Sequence, residues 1–403
     1  MRRKNAWTTY NKKQLDELEK LCKNYLKFLD KGKTERECVK QIVKQAEEKG
    51  YVNLADITKD KKALKAGDKV YSVCMDKTVA LFQIGKKKLE KGMNILGAHI
   101  DSPRMDVKQN PLYESEEFAY LDTHYYGGIK KYQWVTLPLA LHGVVVKKDG
   151  TVITVNVGED KNDPVFCVTD LLIHLAGEQM EKKANKVIEG ENLDVLVGSK
   201  PLEGKEKDAV KEGILEILKE KYDMTEEDFM SAEIEVVPAG HAREAGLDHS
   251  MVMSYGQDDR VCSYANLEAI LQAKPGVKTQ AALLTDKEEI GSYGNTGMES
   301  SYFVKFVMKL LALQGKDAIL DFYETMENSE MLSADVNSCM DPMFAEVSEK
   351  DNASFLGYGI NLTKYGGARG KSGSNDANAE FLQKIRTIFN EAGVCWQIGE
   401  LGK

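Results

Sequence analysis

Apolar residues recur at helical spacing from the start of the chain: Leu15, Leu18, Leu21, Cys22 and Tyr25, then Val39, Ile42, Val43 and Ala46. This is the rhythm of two amphipathic helices within residues 12–49. Thr34, followed three residues on by Glu37, has the form of a capping box for the second. Two short apolar runs follow, Thr78–Ile84 and Met93–Ala98, and both read as strands; the second runs into His99-Ile100-Asp101-Ser102-Pro103. The texture changes over 132–158. Trp134–Leu141 and Val144–Val146 are apolar and β-rich, Val152–Val157 partly alternates, and Asp149-Gly150 marks a turn. Residues 169–184 and 206–221 read as helical, 186–205 as polar surface connections, and Ile234–Val237 as a strand. From about residue 250 helices and strands alternate: helix 261–273, strand 279–284, helix 301–313, strand 331–334, a strand near 355–360, helix 376–391 and strand 394–398. Such alternation predicts an α/β domain on a largely parallel sheet. The expected organisation is one α/β domain in two parts, 1–104 and 250–403, interrupted by a β-rich insertion over 105–249.

Composition narrows the class. The chain has 403 residues, 42% of them hydrophobic, with 55 Lys+Arg against 64 Asp+Glu and a net charge of −9. A nucleic-acid or anionic-membrane binder would carry a basic footprint, so neither partner is expected. No apolar run approaches the ~20 residues of a membrane helix. Seven scattered cysteines without a CxxC pair fit a reduced, cytoplasmic protein better than a disulfide framework. The start, Met1-Arg2-Arg3-Lys4, is followed by no apolar stretch of the secretory kind.

The candidate chemistry lies at strand ends. Ile95–Ala98 runs into His99 and Asp101, Ala281–Leu284 into Asp286-Lys287-Glu288-Glu289, and Met331–Ala334 into Asp335. Asp258-Asp259 immediately precedes the 261–273 helix. In open α/β sheets ligands sit beyond the carboxyl ends of the strands. One acidic residue in such a place is ordinarily a cap or turn residue; three ends carrying His, Glu and Asp predict a metal site. Mixed imidazole and carboxylate donors suit Zn²⁺ first, with Mn²⁺ or Co²⁺ as alternatives. A two-metal centre needs a bridging carboxylate and a neighbouring carboxylate free to take a proton from water. Adjacent glutamates can divide those tasks, and Asp101 can orient the His99 ring.

Four segments together resemble the M18 family of metallo-aminopeptidases, the aspartyl aminopeptidase family. They are Gly97-Ala98-His99-Ile100-Asp101-Ser102-Pro103, Gln257-Asp258-Asp259-Arg260, Asp286–Ser292 and Ser333-Ala334-Asp335. The Asp-Asp-Arg form is also similar to the related M42 aminopeptidases. The resemblance implies His99 and Asp335 as ligands of one metal and Asp258, with Asp259 as the alternative, as the bridge. It implies Glu289 as a ligand of the second metal and Glu288 as general base. It further implies that the insertion is a dimerisation domain, that dimers assemble into a tetrahedral dodecamer, and that a histidine of the insertion, here His174, reaches a neighbour's site. Two departures stand out. The family continues into a C-terminal segment carrying a histidine, whereas this sequence closes on Glu400-Leu401-Gly402-Lys403 and has no histidine after His249. The expectation is a truncated chain or a second metal with fewer ligands. The family's Trp-Phe-Asp-Arg run appears as Trp134-Val135-Thr136-Leu137, which loosens the implied preference for N-terminal Asp or Glu.

Other signals carry less. Gly366–Ser372 lacks the glycine spacing of a phosphate loop; Lys364, Arg369 or Lys371 could instead meet an acidic substrate side chain. Ser102 has no Gly-x-Ser-x-Gly elbow around it. The expected activity is therefore removal of N-terminal residues, acidic ones among them, from peptides by a two-metal centre. The alternatives are a di-metal N-deacylase on the same scaffold and a non-catalytic shell-forming protein.

Overall fold

The computed structural model describes residues 4–60, 62–316, 319–366 and 376–402. In chain order its strands are β1 (Val52–Asn53), β2 (Lys69–Cys74), β3 (Thr78–Gln83), β4 (Met93–His99), β5 (Arg104–Ser115), β6 (Phe118–Tyr126), β7 (Leu139–Val146), β8 (Val152–Val157), β9 (Val195–Gly198), β10 (Ala232–Pro238), β11 (Arg243–Ala245), β12 (Met251–Met253), β13 (Thr279–Thr285) and β14 (Glu330–Ser333), with β15 (Ile360–Leu362) and β16 (Trp396–Ile398) near the C-terminus. By internal packing the chain divides into two units, Tyr25–Ala334 and Met1–Asn24 with Asp335–Lys403.

The first unit holds two six-stranded sheets. One has the order β1-β2-β3-β13-β4-β14. It is mixed: β1–β2, β13–β4 and β4–β14 are parallel, whereas β2–β3 and β3–β13 are antiparallel. The largely parallel expectation misses the β2–β3 hairpin, whose short turn leaves the chain no room for a crossover. The central strand β13 is buried almost throughout, and successive side chains pack into different cores. Ala282 and Leu284 pack with Val79, Leu81, Ala98 and the apolar residues of the helices Lys12–Lys31, Glu35–Glu48 and Gln257–Gln272. Ala281 and Leu283 pack with Ala80, Phe82, Ile95 and the helix Tyr302–Leu313. Side chains two apart share a face, so both faces are covered and this part is a three-layer α/β/α stack. The predicted capping box is present: Thr34 Oγ1 accepts from the Glu37 amide while the Glu37 carboxylate accepts from the Thr34 amide.

All strands of the second sheet lie between Arg104 and Pro238, in the order β8-β7-β10-β5-β6-β9. Every pairing is antiparallel. Its longest pair, β5–β6, and the short β9 were not foreseen. β5 carries Arg104, Asp106, Lys108, Gln109 and Asn110 and so lacks an apolar run. The helix expected over 169–184 is replaced by a 3-10 turn, Ile173–Leu175, and a single turn of α-helix, Gly177–Met180. Leu171, Leu172, Ile173 and Leu175 are all more than half exposed; with no apolar face among the described residues covering them, their helical spacing has nothing to stabilise it.

In the other unit β15 and β16 pair in parallel, the helix Ala379–Glu391 is capped by the Asn378 side chain, and Ala6 donates its amide to the Gly357 carbonyl. The strand expected near 355–360 is β15, three residues long.

Candidate metal centre

Strand register brings the centre together. β13 and β4 run in parallel with Thr285 opposite His99, and β14 runs in parallel on the other side of β4 with Ser333 opposite Gly97. Parallel strands end on the same edge, so the segments after β4 and β13 emerge side by side. The Ile100 amide extends the ladder to the Thr285 carbonyl at 2.8 Å, and the Ala334 amide reaches the Gly97 carbonyl at 2.8 Å. Asp335 is the next residue and opens the other unit.

His99 is buried, and its Nε2 lies 3.3 Å from Asp258 Oδ1 and 3.7 Å from Glu288 Oε2. A His99 nitrogen and one carboxylate oxygen each of Glu288 and Glu289 lie within 4.8 Å of one another. Asp101 has no exposed surface and joins these pieces. Its Oδ1 accepts from the Glu288 amide at 3.2 Å and lies 3.3 Å from His99 Nδ1; its Oδ2 accepts from the Glu289 amide at 3.2 Å and from the Tyr126 hydroxyl at 2.8 Å. The same His99 nitrogen is 3.0 Å from the Asp101 carbonyl oxygen. A ring whose Nδ1 is engaged in this way presents Nε2 toward the carboxylates.

The aspartate pair opens the helix Gln257–Gln272, where Asp258 (φ −86°, ψ 105°) and Asp259 (φ −117°, ψ 33°) are not yet helical. This irregular start turns the Asp258 side chain toward His99 while Asp259 is wholly buried. Three bonds fix the helix start against the β4 end. The Ser102 hydroxyl donates to the Asp258 carbonyl at 2.6 Å, the Ser263 hydroxyl to the His99 carbonyl at 2.6 Å, and Arg260 Nε to the Ile100 carbonyl at 3.3 Å. Gly127, directly after β6, has φ +73°; a Cβ there would stand 3.2 Å from the Glu289 Cβ, so the backbone is close-packed on that glutamate.

Electrostatics point the same way. Glu289 is pushed up to about 7, first by burial and then by the charge of Asp258, with Asp101 and Glu288 adding and His99 opposing. Asp258, Glu288 and Glu289 face the His99 imidazole. That donor set, one imidazole with oxygen donors, fits a divalent cation of the zinc kind.

The sequence expectations fare unevenly. His99, Asp101, Asp258, Glu288 and Glu289 are brought together. His174 is exposed on the Ile173–Leu175 turn, which replaces the helix expected there, and belongs to neither His-and-carboxylate cluster found among the described residues. Lys364 lies in the other unit, its ammonium 4.8 Å from the Tyr365 ring centroid. Arg369 and Lys371, like most of Gly366–Ser372, fall outside the described residues. Tyr126, Ser263 and Gly127 were missed. Each is distant in sequence from what it touches, and no local spacing marks it.

Comparison with known proteins gives concordant results. The family described as "Aminopeptidase I zinc metalloprotease (M18)" matches residues 28–403. A probable M18 family aminopeptidase 1 of Clostridium acetobutylicum is 56% identical over 401 residues, covering 99% of this chain and 86% of the relative. The crystal structure of the M18 aminopeptidase from Thermotoga maritima superposes with a TM-score of 0.94 at 46% identity, covering 100% of this chain and 87% of that one. The S. cerevisiae mApe1 dodecamer shares the fold, with a TM-score of 0.75 at 19% identity over 96% of this chain and 86% of that one.

Proposed function

The chain belongs to the M18 family of zinc metalloproteases and is an aminopeptidase, and from that premise we propose how its residues divide the work. His99 and Asp335 would hold one metal ion and Glu289 a second, with Asp258 contributing to both. Zn²⁺ is the expected ion, with Co²⁺ or Mn²⁺ as alternatives. When bound, such ions supply Lewis acidity toward the scissile carbonyl and toward water. Asp101 orients the His99 ring and the turn bearing the two glutamates. Glu288, half exposed and 3.7 Å from His99 Nε2, takes the proton of the attacking water and passes it to the leaving amine.

The single observation that carries this reading is the convergence of His99, Asp258, Glu288 and Glu289 on one sheet edge around the buried Asp101. For Asp335 the support is its place one residue beyond the Ala334–Gly97 bond. The sheet within Arg104–Pro238 is proposed as the dimerisation insertion, with the exposed residues around His174 facing another copy; dimers then build a tetrahedral dodecamer in the cytoplasm. No described helix is long and apolar enough to cross a membrane, and no disulfide is formed among the described cysteines. Neither the deacylase nor the shell reading gains support from the matches.

The test is kinetic and analytical together. Glu288→Gln should lower kcat by about 10²–10⁴-fold, the range for a lost general base, while metal per chain stays unchanged. Asp335→Ala should instead lose metal. Wild-type turnover in Glu288→Gln would refute the assignment of the base. Peptides bearing N-terminal Asp, Glu, Leu or Met, assayed with added Zn²⁺, Mn²⁺ or Co²⁺, rank substrate and metal; equal rates on all four would refute a preference for acidic ends.

A further inference from the structure

We infer that Tyr126 is a positioning residue of this hydrolase: its hydroxyl, backed by Arg104, fixes the Asp101 carboxylate and through it the Glu288–Glu289 turn and the His99 ring. The inference rests on the proposed roles of His99, Glu288 and Glu289. It adds a residue on a different sheet from those that bear the reacting groups.

The turn needs external support. It is entered through Lys287 at φ +69° and left through Ser292 at φ +63°, a region that a residue with a Cβ adopts at a cost. Inside the turn the Gly291 amide reaches the Glu288 carbonyl at 2.9 Å, and the Ser292 amide reaches the Lys287 carbonyl at 2.6 Å. What ties its outer face to β4 is Asp101, through the amides of Glu288 and Glu289, both at 3.2 Å. These are long bonds, and they hold only while the carboxylate plane is fixed. Of the contacts made by that carboxylate, the 2.8 Å bond from the Tyr126 hydroxyl is the shortest and is charge-assisted.

Tyr126 is itself held. It is the last residue of β6, and Arg104 opposes it in the β5–β6 register. The Arg104 guanidinium carbon lies 3.8 Å from the Tyr126 ring centroid, and Lys287 Nζ lies 6.0 Å from it. Arg104 is anchored in turn by Asp106 at 2.8 Å, Glu35 at 3.1 Å and Glu235 at 3.4 Å. A cation stacked on the ring face locks its plane, and the plane sets the direction of the hydroxyl. Burial first, and then the Asp101 charge, push the Tyr126 hydroxyl far above the usual tyrosine range, so it remains a donor. The path from the second sheet to the reacting groups is therefore continuous: Glu35 and Asp106 to Arg104, Arg104 to Tyr126, Tyr126 to Asp101, and Asp101 to His99 and the two glutamate amides.

The experiment is a double-mutant cycle on the metal-loaded, full-length protein, using Tyr126→Phe, Asp101→Asn and the pair. Tyr126→Phe keeps the ring and its stacking on Arg104 and removes only the hydroxyl. Loss of an outer partner of this kind costs about 10–100-fold in metal affinity or activity. The expected result is a fall of that size in kcat with KM within about two-fold, or an equal fall in resistance to metal removal by a chelator, with native circular dichroism retained. In the Asp101→Asn background the same substitution should change either quantity less than two-fold, because the charge-assisted bond that it removes is already lost. Wild-type kcat and metal retention in Tyr126→Phe would overturn the inference. So would an undiminished effect in the Asp101→Asn background, which would mean that Tyr126 acts elsewhere. Glu288→Gln tests the underlying roles separately, so the two failures remain distinguishable.

Discussion

Gly127 offers a way to move one carboxylate of the centre without changing any group that reacts. It follows β6 at φ +73°, and a Cβ added there would lie 3.2 Å from the Glu289 Cβ, 3.5 Å from Glu289 Oε2 and 3.5 Å from the Pro103 Cα. Gly127→Ala therefore does two things. It places a Cβ in the left-handed region, which costs about 1 kcal/mol. It also presses on Glu289, which must give by a few tenths of an ångström. A displacement of about 1 Å at a catalytic constellation costs on the order of 100-fold, so this smaller push should lower kcat about three- to ten-fold. The control is Gly150→Ala. Gly150 has φ +87° with nothing within 4 Å of the new Cβ, in the turn between β7 and β8. It carries the same backbone cost without the contact. Both variants should lose about 1 kcal/mol in denaturant titrations, and only Gly127→Ala should lose activity on a peptide substrate. Equal stability loss with full activity in both would refute the claim that the position of Glu289 governs turnover.

Two further outcomes follow from the charge arrangement. His142 is buried between Glu37 at 2.9 Å and Glu159 at 3.1 Å, with Lys33 Nζ 3.7 Å from Glu159. Burial opposes its charge, but the bonds to Glu159 and Glu37 outweigh it and raise the His142 pKa above the usual value. A raised folded-state pKa stabilises fully below the unfolded value of about 6.5, and the contribution disappears as pH rises through the folded value. His142→Gln should thus cost about 1.5–3 kcal/mol at pH 6, with the deficit shrinking toward pH 9 in denaturant titrations; a deficit independent of pH would refute the assignment. Removing metal with a chelator should abolish peptide hydrolysis and lower the unfolding midpoint by linkage, both restored by added Zn²⁺. Hydrolysis that survives exhaustive chelation would exclude a metal-dependent reaction.

The part of the centre legible in the sequence is the part built by strand ends. Apolar runs at 93–98, 279–284 and 331–334 mark three strands, and each is followed within a few residues by His99, Glu288-Glu289 or Asp335. Because parallel pairing carries the ends to one edge, reading the runs amounts to locating the proposed ligands. The same logic fails for Tyr126. It meets Asp101 from β6, a strand whose partner β5 has no apolar run and breaks register between Val107 and Leu112. A strand half covered by charge, with Arg104 spent on Glu35, Asp106 and Glu235, gives no hydrophobic signal. Periodicity reports what is buried among apolar groups, so it found the sheet that bears the proposed ligands. The buried ionic layer that orients them escaped it, because Arg104 is compensated by Glu35 from a helix and Glu235 from another strand as well as by Asp106 on its own strand. The converse error at 169–184 has the same origin. Leu171, Leu172, Ile173 and Leu175 carry an apolar signal but are exposed, because helical spacing of apolar residues stabilises a helix only where another surface receives it. The exposed apolar turn around His174 and the buried charges around Arg104 are thus complementary departures from one rule, and both lie in the segment whose pattern least resembles the surrounding α/β rhythm.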